Sequence, residues 1–431
     1  MKKIIASAVG LMMVGGVAAT TASAVEVQFG GYWRTRAFTQ NDFDQVKIPV
    51  LVNGIPTTIN ESNGSFSRVD NRTRLYLTAK FNDDFKFVNK FEFNTNWGAP
   101  GSAGGGVGAD GTGIFRIKNS YADFNLGNVN TKVGIQAAVL ARGFIFDDDF
   151  SGIVVSPKFG NVGVSAGVIS VYTEDGGNQL WDQWMPYVEA NINITDAISI
   201  KPYFLYNTAN SPDLPAGALR ELGLRSGGFD SYYIGLDAEW KLDTVGIWGT
   251  AIYNGGQVDD INVKIGDVIL PPQDADISGY LLAAGADAGL VHGQIFYASG
   301  DDSAKDGDLD GFQSAPGQSY YWSEIMGLGI FDNTASANAP GNLVTNILAA
   351  NVGVTFKPMD KMTLVGDLWY ATLAEDNIYG DDGLGLELDG KLTYALMDNL
   401  NADVVLAYLF ADDATGDDDV FEGGVRLSLS F

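Results

Sequence analysis

The sequence predicts an all-β chain, a transmembrane antiparallel up-and-down β-barrel of about 18 strands, with about 16 as the alternative count. Three observations carry this reading. Segments of about 9 to 14 residues alternate apolar with polar side chains. Tight turn-forming links take turns with longer acidic or glycine-rich ones. Beyond the first 24 residues no run of about 18 apolar residues could span a bilayer as a helix, so any span has to be built from strands. In hydrocarbon every backbone polar group needs an internal partner, and a sheet meets that demand only by closing on itself.

Lys2 and Lys3 form a basic start, Ile4 to Ala19 are apolar or small, and Ala22-Ser23-Ala24 offers a small-residue cleavage site. Residues 1–24 are therefore expected to be a secretory signal peptide and 25–431 a single barrel domain. Removing that segment takes the formal charge from −27 to about −29. Such acidity disfavours a nucleic-acid partner, which needs a basic footprint. With 0 cysteines, neither disulfides nor thiolate metal sites can form.

The last segment is the clearest strand. Phe421, Gly423, Val425, Leu427, Leu429 and Phe431 alternate with Glu422, Gly424, Arg426, Ser428 and Ser430. The same dyad recurs where Val27, Phe29, Trp33 and Thr35 face away from Gln28, Arg34 and Arg36, and where Leu75, Leu77, Ala79 and Phe81 face away from Arg72, Arg74, Tyr76, Thr78 and Lys80. Phe85, Phe87, Phe91 and Phe93 alternate with Lys86, Lys90, Glu92 and Asn94, and Leu384, Leu386, Leu388 and Leu392 with Glu387, Asp389, Lys391 and Thr393. Tight links are expected at Asn82-Asp83-Asp84, Gly127-Asn128, Gly160-Asn161, Thr195-Asp196 and Met397-Asp398-Asn399. Two segments read poorly: Phe115 to Leu126, whose apolar face switches partway, and the alanine- and glycine-rich Ile277 to Ala288. A secreted soluble sandwich or solenoid would keep charges off its inward faces, whereas here Arg, Lys, Asp and Glu recur on the polar face throughout.

Signal peptide, amphipathic strands, alternating link lengths, acidic loops and a closing aromatic at Phe431 together resemble a bacterial outer-membrane porin over the whole mature chain. Trp33-Arg34-Thr35-Arg36 and Asn71-Arg72-Thr73-Arg74-Leu75-Tyr76-Leu77 are similar to the arginine-bearing opening strands of substrate-preferring porins. The resemblance implies passive diffusion of small hydrophilic or charged solutes through a lumen narrowed by an infolded loop, often in a homotrimer, without a cofactor.

Literal alternation points Arg34, Arg36, Arg68, Arg72, Arg74 and Lys80 into the lumen from the first two strands and Arg426 from the last, neighbours across closure. Asp70 and Glu92 are the acids placed to neutralise this stripe. Glu189, Asp237, Glu239, Glu387, Asp389 and Asp403 fall on polar faces later in the chain, so an opposing acidic wall and a transverse field across the pore are expected. Leu140 to Phe150 is the preferred constriction, because Arg142, Phe144, Ile145 and Phe146 precede Asp147, Asp148 and Asp149 and a purely solvated loop has little use for those apolar residues. Its rival is Gly300 to Asn342, with Tyr320-Tyr321-Trp322 and Ile325-Met326. Asp306, Asp308, Asp310 and Gly311 begin like a calcium loop, but the twelfth position is Gly317, so only loose calcium binding is expected. Asp412, Asp413 and Asp417 to Asp419 are candidates for bridging lipopolysaccharide through divalent ions. Most aromatics are expected in interfacial girdles, with Trp181, Trp184, Tyr203 and Trp248 as candidates for stacking on sugars.

An enzyme is the weaker reading. Ser62-Asn63-Gly64, Ser67-Arg68 and Asn71-Arg72 are similar to fragments around the nucleophile of an outer-membrane phospholipase, but Asn60 stands where that family carries its histidine. The one histidine, His292, and Ser299 fall on opposite faces of a strand, about 23 Å apart. A different class, a structural barrel that sheaths a partner such as a cytochrome, needs an unobstructed lumen.

Overall fold

The alternating segments fold as a ring. The computed structural model describes residues 25–41, 45–52, 55–62, 66–98, 114–159, 162–172, 183–209, 228–261, 264–265, 268–269, 273–302, 308–331, 343–377, 380–416 and 418–431. The expected signal peptide, the Gly160-Asn161 link, Asn63-Gly64, Trp181, Asp306 and Asp417 lie outside these residues. The barrel strands are β1 (Glu26–Asn41), β2 (Phe66–Asn82), β3 (Phe85–Asn96), β4 (Ile114–Leu126), β5 (Val129–Leu140), β6 (Phe146–Phe159), β7 (Val162–Tyr172), β8 (Gln183–Asn193) and β9 (Ile198–Ala209). They continue as β10 (Gly228–Leu242), β11 (Val245–Ile261), β12 (Gln273–Ala288), β13 (Val291–Ala298), β14 (Ile347–Met359), β15 (Met362–Leu373), β16 (Gly383–Met397), β17 (Leu400–Ala411) and β18 (Val420–Ser430). Each pairs antiparallel with the next in sequence, and β1 pairs both with β2, from Glu26↔Lys80 to Gln40↔Phe66, and with β18, from Tyr32↔Ser430 to Asn41↔Phe421. The ring of 18 is closed and presents no open edge.

Its faces are inverted relative to a soluble domain. Large apolar side chains such as Phe29, Ile153, Ile234, Leu282, Val352 and Leu406 are exposed, while Arg36, Glu92, Gln136, Asp237, Asn254 and Glu387 are buried. Only a wall with hydrocarbon outside and polar partners inside makes that distribution favourable. Phe81, Phe85, Trp240 and Phe356 ring the outer surface beside the short turns, and Trp97 and Phe410 lie near the opposite rim, as girdles require. The four expected short turns among the described residues, at 82–84, 127–128, 195–196 and 397–399, fall where the sequence marks them, Gly127 for instance taking a left-handed φ of 62°. A two-stranded hairpin (Gln45–Val52 with Ile55–Ser62) extends the first long connection.

Two irregularities explain where alternation misleads. On β4 the register against β3 passes from Lys90↔Asn119 to Phe91↔Ile117, so Lys118 is an extra residue, and the bulge switches the apolar face within Phe115 to Leu126. On β16 the register against β15 passes from Ala371↔Gly385 to Thr372↔Gly383. Leu384 is the extra residue there and turns inward, buried, instead of joining Leu386 and Leu388 on the outer face. Ile277 to Ala288, by contrast, is regular and paired with β11 throughout.

At the seam Phe431 folds back across β1, where Gly31 N–H donates to the Phe431 carbonyl at 2.8 Å and Phe431 N–H to the Gly31 carbonyl at 3.0 Å. A Cβ on Gly31 would stand 2.5 Å from the Phe431 ring and 2.7 Å from the Arg74 carbonyl. Gly31→Val is expected to destabilise the barrel by about 1–3 kcal/mol through overpacking, read as a lower denaturant midpoint of the detergent-refolded protein with its strand signature in circular dichroism retained.

Candidate pore constriction

The first strands carry a stripe of cations. Arg34 and Arg36 on β1 stand across from Arg72 and Asp70 on β2, and Arg36 stands across from Arg426 on β18. Like charges directly opposite repel, and the stripe holds because acids are interleaved. Arg36 makes a fork with Asp70 (Nε–Oδ1 2.9 Å, Nη2–Oδ2 2.7 Å). Glu92 receives Arg74 at 2.7 Å and Arg72 at 3.5 Å, Arg72 also donates to Asn94 at 2.8 Å, and Arg426 donates to Asp403 at 2.9 Å. Arg68 lies nearer the long loops over the Phe66 ring at 5.0 Å, and Lys80 belongs to the rim, paired with the exposed Asp83 at 2.8 Å.

The later acids form two separate groups. Asp237 and Glu239 line a cavity of about 300 Å³ with Lys201 and Arg142, and Glu189 joins the group through Lys201: Arg142 pairs with Glu239 at 2.8 Å, Lys201 with Glu189 at 3.9 Å, and Thr250 donates to Asp237 at 2.8 Å. Glu387 and Asp389 lie elsewhere, beneath a segment that enters the lumen. Asp403 belongs to the basic stripe as the partner of Arg426.

That segment is 308–331, and its polar tethers trace its path. Gln313 N–H donates to Asn254 on β11 at 3.1 Å, and Tyr233 on β10 donates to the Gln313 carbonyl at 3.0 Å. Tyr320 donates to Gln294 on β13 at 2.8 Å. Ile325 and Met326 N–H donate to the two oxygens of Glu387 at 2.7 and 2.8 Å, and Glu324 N–H to Asp389 at 3.3 Å. Arg36 reaches the Ile330 carbonyl at 2.9 Å, and Phe331 stacks on Phe38 at 4.8 Å. The segment thus follows the inner wall from β10 round to β1, where it meets the arginine stripe at Arg36. Phe312, Ile325 and Met326 are fully buried in the largest apolar cluster among the described residues, and Phe331 is fully buried in a smaller one with Phe38 and Val405, so the segment carries apolar packing into the lumen.

The expected loop Leu140 to Phe150 proves much shorter. Only Ala141–Ile145 leave the ladder, while Asp147, Asp148 and Asp149 are β6 residues paired with Val139, Ala138 and Ala137. The apolar residues that singled it out do turn inward: Phe144 is buried and stacks on Tyr320 at 3.9 Å, and Asp147 N–H donates to the Gly317 carbonyl at 2.9 Å. Preferred and rival constrictions are therefore parts of one packed unit. Ala141 (φ 52°) and Arg142 (φ 56°) are both left-handed, a strained corner that delivers Arg142 to Glu239 and over the Trp248 ring at 4.8 Å. Of the calcium-like run, Asp308 begins a two-residue strand parallel to Asp276 and Ile277 of β12, and no group of three acids or histidines suited to a metal occurs among the described residues.

No protein-family model matches the sequence, and no curated protein sequence does. Solved structures do match. The outer membrane protein OpdK of Pseudomonas aeruginosa superposes with a TM-score of 0.58 at 12% identity, covering 94% of this chain and 98% of that one. The fold is that of an outer-membrane porin. A BenF-like porin from Pseudomonas fluorescens Pf-5 agrees at 0.57 and 13% (94% and 99% covered), and OccAB4 of Acinetobacter baumannii at 0.57 and 11% (95% and 99% covered). Within this porin fold the tethers from Asn254, Gln294 and Glu324 escape sequence reading, since their partners are peptide groups or side chains far along the chain.

Two outcomes follow from the tethers. Glu387→Ala removes the acceptors of two buried backbone N–H groups, at about 1–3 kcal/mol for each group left unsatisfied, so hydrogen exchange of the Ile325 and Met326 amides should rise by about tenfold or more while strand amides keep their protection. Glu324, on the segment itself, accepts from Ile330 N–H at 2.6 Å, and removal from water raises its carboxyl above the ordinary range. A raised acid contributes most below its ordinary pKa and progressively less as pH climbs through the raised value. Exchange of the Ile330 amide, corrected for intrinsic rate, should increase over that interval, and Glu324→Gln should flatten the dependence.

Proposed function

We propose that this chain is a channel of the bacterial outer membrane through which small hydrophilic or charged solutes diffuse passively, without catalysis or a cofactor. The carrying observation is the lumen: a sealed wall, apolar outside and charged inside, with an arginine stripe on β1, β2 and β18 and the chain's own infolded segment laid along the wall from β10 to β1. A diffusion pore uses such a narrowing to bring solutes against fixed charge. A sheath for a protein partner needs an open bore, and segment 308–331 occupies that space. His292 pairs with Asp367 at 2.8 Å while Ser299 donates to the Asp310 carbonyl, which supports the reading without catalysis. Short turns facing the periplasm, acidic loops facing outward toward lipopolysaccharide with loosely held calcium, and assembly as a homotrimer belong to the same proposal.

The test is conductance of the mature chain in planar bilayers under a salt gradient. It should form ion-conducting pores, and replacing Arg34, Arg36, Arg72 and Arg74 by glutamine should lower the anion-to-cation permeability ratio by about tenfold. Absence of conductance, or a reversal potential unmoved by the fourfold change, counts against it.

A further inference from the structure

Between the infolded segment and strands β11 to β15, toward the short-turn end, lies a cavity of about 390 Å³ whose two halves differ in chemistry. One half is indole. Trp322 of the segment meets Trp369 of β15 nearly edge to face, with centroids 5.0 Å apart and planes at 67°, and Trp248 of β11 lies half-buried against the wall over Gly285, where any Cβ would strike its ring. The other half is a hydrogen-bond chain. Asp367 Oδ1 accepts from Asn351 Nδ2 at 2.7 Å and from His292 Nε2 at 2.8 Å, Asn351 Oδ1 accepts from the Gln294 backbone N–H at 2.9 Å, and Gln294 Oε1 accepts from Tyr320 at 2.8 Å. These bonds fix the side chains and leave Asp367 Oδ2 as an acceptor and the Gln294 amide nitrogen as a donor at the cavity.

Charge decides what fits. The lining has no Lys or Arg and includes the carboxylates of Asp287 and Asp367, which disfavour an anion. Arg142 stands over the Trp248 ring at 4.8 Å and sets a fixed positive charge beside that indole, which disfavours a cationic ligand there. A hydroxyl both donates and accepts and so matches a floor that offers both, and the C–H face of a pyranose ring matches indole.

We propose that this cavity is a subsite for an uncharged polyhydroxylated solute of sugar type, held between the tryptophans and the His292–Asp367–Asn351 chain. It rests on the channel reading for access but is testable apart from it. Because the chain has 1 histidine, its imidazole Cε1–H is a single, assigned NMR probe inside the cavity. In the full mature chain in detergent micelles, maltose should move that resonance saturably, while tetramethylammonium and benzoate should not. Trp248→Ala and Asn351→Ala, each first shown to give a folded barrel by circular dichroism, should raise the maltose midpoint by about tenfold or more, with Trp248→Phe restoring part of it. In bilayers, maltose should reduce the current of the wild-type pore by a larger fraction than it reduces that of either alanine variant, each normalised to its own conductance. The proposal is overturned by a maltose-insensitive resonance, by a response to the cation or anion instead, or by alanine variants that bind maltose like the wild type. Failure to conduct salt with the maltose shift intact would overturn the channel reading alone.

Discussion

Every property of this molecule depends on backbone hydrogen bonds having no water to fall back on. A strand placed in hydrocarbon leaves two rows of polar groups that must each find a partner, at a cost of several kcal/mol for any group left over. The pairing of β1 with both β2 and β18 removes the last unpaired rows. Closure then dictates side-chain chemistry: successive residues point to opposite solvents, so phenylalanine and leucine lie outside and arginine and glutamate inside. A soluble barrel of the same topology would need the reverse.

The interior, freed from having to be apolar, is organised by charge pairing. On β1, β2 and β18 the arginines are interleaved with Asp70, Glu92 and Asp403, each of which is engaged by an arginine. Two strands from the stripe, on β16, carboxylates are satisfied by peptide N–H groups rather than by cations. Glu387 holds two such groups. The course of the infolded segment is set by hydrogen bonds that an aqueous loop would make with water.

Much of this was legible because a period of two is a strong signal. Alternation in Phe421 to Phe431 and in the segments bearing Arg34, Arg36, Arg72 and Arg74 places those residues on the faces they occupy, and the irregular reading of Phe115 to Leu126 has a physical source in the bulge at Lys118. The same rule misplaces Leu384, because an inserted residue on β16 leaves no mark in composition. Asp147 to Asp149 look like loop residues by type, yet pairing with β5 claims them. The acids at 387 and 389 are recognisable as inward-facing, but their partners lie some sixty residues upstream in a segment of ambiguous pattern. Local periodicity fixes a wall, and long-range tethering decides what the wall encloses.

The position of Glu387 also orders events in time. Ile325 and Met326 are 62 and 61 residues upstream of the carboxylate that receives them, and the Ile330 carbonyl is fastened by Arg36 of the first strand. The Glu387 attachments need β16 in place, and the Arg36 attachment needs the first strand beside the end of the segment. The segment is therefore held from both ends of the chain, by one residue made long before it and by another made some sixty residues after it.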